Sequence, residues 1–350
     1  MMRVGIAGAG FMGRTWAEVA ARHVPGACVT AVAGGRRAAA LAADYGCRLL
    51  ASAAELAVAP DVDAIVIATP PQLHRELALA AAAAGKHVLV EKPMAPGVTD
   101  CKAMVAAAAH HDTRLAVVSQ HRFRETPSTA KRLLEEGAIG PLRMARVTGP
   151  EMGWWDMGAR GDAWKLDPAQ QTAYASWGAH ACDLLRWFLD SDPVSAYAQM
   201  ANYAGTPPDG QSAMATYGFA SGAMAQLWMT YETPPPGLGS PLQLLLMGAS
   251  GMLDVDCYGQ LRLGRGDGWT VVAEQTPFDA ADPNDPIRLR AYAAQLADLL
   301  DAVRERRDPL VSGSDGLVVT RMLTAAERSA ESGEAVHLPH PTDSEPRSHA

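Results

Sequence analysis

The chain has 350 residues, of which 48% are hydrophobic and 19% are charged. This composition supplies enough apolar material for a core and excludes an intrinsically disordered protein, and the length favours two domains over one. The net charge of -8, with no run of basic residues, argues against a protein that binds nucleic acid or anionic membranes. A small-molecule ligand is therefore expected.

Cysteine usage and hydropathy indicate the cellular compartment of the protein. The five cysteines include no C-x-x-C pair, so neither a disulfide framework nor a metal site is predicted. Glycines interrupt the apolar N-terminal stretch, which argues against a signal peptide. No stretch reaches the roughly 18 apolar residues of a transmembrane helix. We expect a cytoplasmic protein without membrane association.

The first third of the chain alternates short β-branched runs with alanine-rich helical segments. Strands are predicted at residues 3–7, 29–33, 64–68, 87–90 and 115–119, with helices that include 75–84 and 99–110. This alternation is typical of an α/β domain with a parallel sheet covered by helices on both faces. We assign this domain to residues 1–120.

After residue 120 the pattern changes. The predicted elements are a helix at 128–136, a strand at 142–148, a long loop at 151–173, a helix at 179–189, several strands between 194 and 274, and helices at 288–306 and 316–332. Short strands separated by Gly and Pro turns indicate a mostly antiparallel sheet. We therefore predict a second, α+β domain over residues 121–339 with a large open sheet, followed by a disordered tail at 340–350.

A glycine fingerprint follows the first predicted strand. Gly8, Gly10 and Gly13, with Phe11 and Met12 between them, form G-x-G-x-x-G at the start of a predicted helix. The glycines permit a tight turn, a close approach of the backbone to a pyrophosphate and tight helix–strand packing. Because strand, helix and further βα units surround the motif, the sequence predicts a Rossmann dinucleotide-binding domain.

The end of the second predicted strand bears on the choice of cofactor. Where an NAD site usually has Asp or Glu for the ribose 2'-hydroxyl, this chain has Gly34, Gly35, Arg36 and Arg37. Two guanidinium groups and no carboxylate favour the 2'-phosphate of NADP. The alternative, that both arginines are solvated turn residues and NAD binds without a carboxylate, stays open.

Further motifs carry a family resemblance. Residues 68–71 read ATPP with His74 three positions on, residues 85–94 read GKHVLVEKPM, and residues 177–189 read WGAHACDLLRWFL. Together with the glycine fingerprint, these segments resemble the Gfo/Idh/MocA oxidoreductases, a group that includes glucose-fructose oxidoreductase and inositol dehydrogenase. The resemblance extends over almost the whole chain.

The resemblance implies a cofactor site, a reaction and an assembly. It places Thr69, Pro70, His74, Glu91 and Pro93 beside NAD(P). It makes Lys92 the residue that reaches the reacting hydroxyl of a sugar, cyclitol or related polyol, and a lysine desolvated beside a cofactor becomes a usable proton donor or acceptor. It also implies a homodimer or homotetramer formed through the large sheet.

The resemblance also assigns residues of the second domain. It makes His180 catalytic, and Asp183, three residues on, lies on the same helix face, where it can either bind a substrate hydroxyl or orient the imidazole. Many family members have Asp four residues before this histidine, whereas this chain has Ser176. Three outcomes stay open: Lys92 and His180 suffice, another carboxylate such as Asp156, Asp162 or Asp183 substitutes, or catalysis is weak or absent.

Substrate contacts are expected from a tryptophan-rich segment and from one arginine. Trp154, Trp155 and Trp164 lie in the predicted loop, where flat rings suit the C–H faces of a sugar, although core packing is the alternative for each. Arg122 follows the last Rossmann strand and either binds substrate or forms a salt bridge between the domains.

The leading hypothesis is an NAD(P)-dependent dehydrogenase acting on a cyclic polyol or glycoside. Two alternatives stay open: a glycoside-cleaving enzyme that uses bound NAD(P) transiently, and a non-catalytic sensor that binds cofactor and sugar.

Overall fold

The computed structural model describes residues 1–150, 173–203, 211–234, 236–237 and 239–339. The predicted tail at 340–350 and, except for residue 173, the predicted loop at 151–173 lie outside these residues. None of the helices in the described part of the chain combines the length and the hydropathy needed to cross a bilayer. All five cysteines are free thiols.

The N-terminal part of the chain forms a six-stranded parallel sheet in the order β3-β2-β1-β4-β5-β6. Its strands are β1 (Met2–Ala7), β2 (Ala27–Ala33), β3 (Arg48–Leu49), β4 (Ala64–Ile67), β5 (His87–Val90) and β6 (Leu115–Val117). This is the doubly wound order in which ligands bind at the carboxyl edge of the strands. The predicted Rossmann sheet is confirmed, and β3 is the strand that the sequence pattern missed.

Helices cover both faces of this sheet. They are α1 (Phe11–Glu18), which continues as a π-helical turn at Val19–His23, α2 (Ala38–Asp44), α3 (Ala53–Ala57), α4 (His74–Ala83) and α5 (Val98–His110). Ile6, Ile65 and Leu89 in the central strands are completely buried, because apolar runs in a parallel sheet pack against helices on either side. The buried layers hold the carboxyl ends of the strands in one row.

Two compact units divide the chain, and the division differs from the two consecutive domains predicted at 1–120 and 121–339. The first unit comprises residues 1–124 and 276–320, and the second comprises 125–275 and 321–350. Helix α8 (Pro286–Glu305) belongs to the first unit, where Leu296 and Leu299 share a fully buried cluster with Trp16. The chain returns to its first unit because α8 covers apolar surface there that local sequence patterns do not show.

The second unit contains a nine-stranded sheet in the order β14-β13-β12-β11-β7-β10-β9-β8-β15. Its strands are β7 (Leu142–Pro150), β8 (Pro193–Ala201), β9 (Ser212–Phe219), β10 (Met224–Thr230), β11 (Gln243–Gly248), β12 (Met252–Asp256), β13 (Gln260–Arg265), β14 (Gly268–Glu274) and β15 (Val336–His337). Only β7 and β10 pair in parallel among these described strands. The prediction of a large, mostly antiparallel sheet is confirmed.

The remaining helices of the described chain are α6 (Glu125–Glu135), α7 (Ala173–Leu189) and α9 (Gly313–Ser332). Side chains alternate between buried and exposed along β9 and β10, as expected for a sheet with one covered face. Helix α7 packs on β7, β9 and β10. It begins six residues before the predicted start at 179, so His180 lies inside the helix and not at its beginning.

Candidate active site

The turn between β1 and α1 requires glycine at two positions. Gly8 has a φ of +103°, and a Cβ added there would lie 2.4 Å from the carbonyl oxygen of Ala68. A Cβ on Gly13 would lie 1.8 Å from the carbonyl oxygen of Gly8. Both neighbours are backbone atoms, so they cannot move aside as a flexible side chain would. These contacts confirm the tight turn and the close helix–strand packing that the fingerprint predicts.

The N-terminus of α1 is open toward a ligand. Gly10 occupies the N-cap position, no side chain caps the helix, and its first turn contains no acidic residue. A Cβ on Gly10 would meet nothing within 4 Å. The free backbone N–H groups and the positive end of the helix dipole at such a position attract an anion.

A cavity of about 850 Å³ lies at this turn, within the range of small-molecule and cofactor sites. The predicted residues that line it are Gly8, Gly10, Gly35, Arg36, Arg37, Thr69 and Pro70. Sequence reasoning missed Ser52 and Leu73, which also line it. In the sequence, Ser52 is recognisable only as a helix N-cap. Its hydroxyl accepts from the Glu55 amide at the start of α3.

The cavity fits a dinucleotide on three observations. Glycine backbone borders it, an uncapped helix N-terminus opens into it, and the buried Thr69 Oγ1 that lines it has no hydrogen-bond partner among the described residues. A buried hydroxyl without a partner is costly, and a ligand would supply one. No carboxylate occurs among the described lining residues.

Lys92 lies two residues after the end of β5 and is half-buried. The peptide bond between Lys92 and Pro93 is cis. The preceding Glu91 is buried, and its carboxylate accepts from Trp16 Nε1 at 2.8 Å and from the Lys92 amide at 3.3 Å. Burial raises the pKa of Glu91. The carboxylate of Glu91 therefore ties the Lys92 backbone to α1 and does not line the described cavity.

His74, which is predicted to lie beside the cofactor, does not line the described cavity. Its ring is completely buried, with Nε2 2.8 Å from the Thr69 carbonyl oxygen and Nδ1 3.2 Å from the carbonyl oxygens of Pro93 and Met94. Burial lowers the pKa of His74. The imidazole thus lies between the loop after β4 and the loop after β5, with each ring nitrogen facing a carbonyl oxygen and the single N–H of the neutral ring donating to one of them.

Helix α7 brings together three predicted residues of the second unit. Ser176, His180 and Asp183 are spaced four and three residues apart, which places them on one helix face, and all three are buried. The Trp177 ring meets the His180 ring edge-on, with centroids 5.5 Å apart. The sequence prediction that His180 and Asp183 share a face is consistent with this helix.

Two family models match this chain. The oxidoreductase family with an NAD-binding Rossmann fold matches residues 2–119, and the Gfo/Idh/MocA C-terminal domain matches residues 128–254. Together they span more than half of the sequence. The chain belongs to the Gfo/Idh/MocA family. It is therefore an oxidoreductase with an NAD-binding Rossmann fold, and the predicted dinucleotide-binding oxidoreductase is confirmed.

Relatives and solved structures agree with this assignment. A 1,5-anhydro-D-fructose reductase from Ensifer adhaerens is 29% identical, over 97% of this chain and 99% of its own length. An inositol 2-dehydrogenase from Rhizobium meliloti is 26% identical, over 94% and 96%. The structure of a levoglucosan dehydrogenase in complex with NADH and levoglucosan superposes with a TM-score of 0.83 at 22% identity, over 97% of this chain and 100% of that one.

In this Gfo/Idh/MocA oxidoreductase, Arg122 forms a hydrogen bond and an ion pair within the first unit. Its side chain is 3% exposed, Nη1 donates to the Leu310 carbonyl oxygen at 2.9 Å, and Nη2 lies 3.5 Å from Asp315. The predicted alternatives were a substrate contact and a salt bridge between the domains. The structure shows an ion pair within one unit and not between the two units, because residues 276–320 pack with the N-terminal strands. The substrate contact stays a prediction.

His121 directly precedes Arg122. It is completely buried, and burial, aided by the charges of Arg124 and Lys92, holds its pKa well below the usual range. The charge of Lys92 lowers the pKa of His121, so the neutral imidazole lies near the lysine. Trp154, Trp155 and Trp164 lie outside the described residues.

Proposed function

We propose that this protein is an NAD(P)-dependent dehydrogenase that oxidises or reduces a ring CH–OH group of a sugar, cyclitol or glycoside. The observation that carries the proposal is Lys92 at the carboxyl end of β5, next to the strand whose end supplies Thr69 to the cavity. Doubly wound sheets bind ligands at this edge. The names of the relatives, an anhydrofructose reductase and an inositol dehydrogenase, support the substrate class.

The proposed chemistry assigns roles to the chain's own residues. NAD(P), when bound, would supply the hydride acceptor for the carbinol carbon and the hydride donor for the reverse reaction. Lys92 Nζ, when unprotonated, takes the hydroxyl proton, so that the C–O bond becomes a carbonyl, and His180 assists this transfer. Asp183 and Ser176 hydrogen-bond substrate hydroxyls. Ser176 carries no charge, so it cannot stabilise an imidazolium as an aspartate would.

The test is a screen of cyclic polyols, sugars and glycosides with NAD⁺ and NADP⁺, followed at the nicotinamide absorbance. We expect one reduced nicotinamide for each carbonyl formed. Cleavage of a glycoside without net cofactor reduction would assign the protein to the glycoside-cleaving class. Tight cofactor binding with no turnover of any compound would favour a sensor, the candidate that Ser176 supports.

We further propose a preference for NADP, carried by Arg36 and Arg37. Both side chains are exposed at the rim of the cavity. The double substitution Arg36→Gln/Arg37→Gln should raise the Kd for NADPH about 30-fold and change the Kd for NADH less than about threefold, since charge-assisted hydrogen bonds to a phosphate contribute about 1.5–3 kcal/mol. Fluorescence titration of both cofactors measures this.

The matched control for this substitution is Arg48→Gln, which removes an exposed guanidinium of the same unit that pairs with Asp61 and does not line the cavity. It should leave both Kd values unchanged. The preference is refuted if the wild-type protein binds NADH more tightly than NADPH, or if the double variant weakens both cofactors equally.

We propose that the protein is cytoplasmic and forms a homodimer or homotetramer through the open face of the second sheet. Met144 lies directly opposite Met224 on one neighbouring strand and Met247 on the other, and all three are at least 39% exposed. An exposed apolar row of this kind marks an interaction surface. Light scattering should give two or four times 36.9 kDa, and Met144→Glu/Met224→Glu should lower it to the monomer mass. A monomeric wild-type protein would contradict this.

A further inference from the structure

Arg288 is a buried cation near the start of α8. The residue is only 3% exposed, although arginine is rarely buried unless it has a partner. The N-cap Asp285 accepts from the amides of Ile287 and Arg288, both at 2.8 Å. This cap fixes the first turn of α8, so the Arg288 side chain enters the interior of the first unit.

The guanidinium contacts the first turn of α1. Nη1 donates to Thr15 Oγ1 at 3.1 Å, and Nη2 lies 3.8 Å from Met12 Sδ. Its central carbon lies 4.7 Å from the Phe11 ring centroid, within the range of a cation–π contact. Phe11 and Met12 are the two residues between the second and third glycines of the fingerprint, so Arg288 supports the turn that faces the cavity.

The charge of Arg288 is only weakly compensated inside the protein. Among the described residues it donates to the Thr15 hydroxyl, the Met12 thioether and, at 3.4 Å, the Pro283 carbonyl oxygen. A side-chain hydrogen bond also links it to Tyr292, and no carboxylate of that part of the chain forms an ion pair with it. The Tyr292 ring covers its other side at 4.8 Å. A buried charge without a counter-ion is costly. An anion at the N-terminus of α1 would offset part of that cost.

The same group acts on the glutamate beside the catalytic lysine. The charge of Arg288 favours the ionised form of Glu91, although burial is the larger effect and raises the pKa of that carboxyl. Glu91 is held by Trp16, and the Trp16 ring packs edge-on against Tyr292 with centroids 5.2 Å apart. Arg288 and Tyr292 on α8 therefore contact α1 at Thr15 and Trp16.

We propose that Arg288 is a positioning residue for the dinucleotide: it holds the first turn of α1 through Phe11, Met12 and Thr15, and its charge adds to that of the helix N-terminus in attracting the diphosphate. The inference rests on dinucleotide binding. It goes beyond the proposed function because it assigns a cofactor role to a residue about 275 positions away from the glycine fingerprint.

The test measures the Kd of NADH by fluorescence, and those of ADP and adenosine by competition against NADH, for the full-length chain and its variants. Arg288→Met removes the charge and should raise the Kd of NADH and of ADP about tenfold while leaving that of adenosine within twofold. Arg288→Lys keeps a charge but loses the planar group, and should raise the Kd of ADP about threefold. Arg304→Gln, an exposed arginine at the other end of α8, is the matched control and should change none of them.

Each outcome decides the inference. An ADP Kd within twofold of wild type in folded Arg288→Met would overturn it, and so would equal losses for ADP and adenosine, which would indicate only general support of the fold. If Arg288→Met does not fold, an unchanged ADP Kd in Arg288→Lys overturns it. A wild-type protein that binds neither NADH nor ADP would refute dinucleotide binding itself, which separates that failure from the failure of the Arg288 role.

Discussion

Replacing Lys92 with methionine should lower kcat by about 1,000-fold or more on any substrate that the wild-type protein oxidises. Methionine keeps the length and packing of the side chain and removes the amine. Positioned acid–base groups contribute about 10²–10⁴-fold to rate, and Lys92 is the titratable group that the proposed reaction needs at the hydroxyl. Initial rates at the nicotinamide absorbance measure the effect, together with the Kd of NADH, which should stay within about threefold.

The matched control is Lys102→Met, which removes an exposed lysine on α5 of the same unit. It should retain wild-type rates. If Lys92→Met turned over the true substrate at the wild-type rate, the proton-transfer role of Lys92 would be wrong, even if the protein proved to be a dehydrogenase.

Alanine at two positions of the glycine fingerprint should separate folding from binding. In Gly13→Ala, the new methyl group would overlap the carbonyl oxygen of Gly8, at 1.8 Å, so α1 must move away from β1. We expect a loss of about 3 kcal/mol in the free energy of unfolding of the cofactor-free protein, at the upper end of overpacking costs, and no measurable NADH binding.

Gly10→Ala should behave in the opposite way. Its Cβ meets no protein atom within 4 Å, so stability of the cofactor-free protein should be unchanged, while the methyl group occupies space that a pyrophosphate needs. We expect the Kd of NADH to rise at least about 30-fold.

Denaturant unfolding and NADH titration of both variants test this pair. The control is Gly268→Ala, at an exposed strand start of the second unit where the new methyl group also meets nothing. It should alter neither quantity. Normal stability in Gly13→Ala would show that the helix and strand do not pack as described, and normal affinity in Gly10→Ala would move the phosphate site elsewhere.

Prediction from the sequence was most successful where local signals are strong. The strands around Ile6, Ile65 and Leu89 are continuous apolar runs, and the glycine fingerprint specifies its own backbone geometry, so the parallel sheet and its ligand edge could be predicted. The start of α7 could not be predicted well. Ser176 and Gly178 are weak helix formers, and the helix extends back to Ala173 because Tyr174 is buried, with its hydroxyl paired to that of Tyr217.

The sequence by itself determined the fold class, the dinucleotide turn and the family, because each depends on residues close together along the chain. Only the tertiary structure decided which polar side chains already have partners within the protein. The His74 ring faces carbonyl groups on two loops, Arg122 forms an ion pair with Asp315, and Arg288 contacts the first turn of α1. These last two contacts join residues almost 200 and more than 270 positions apart, and they exist because residues 276–320 cover the first unit. No local periodicity records such packing, since it is set by the apolar surface that distant elements bury together.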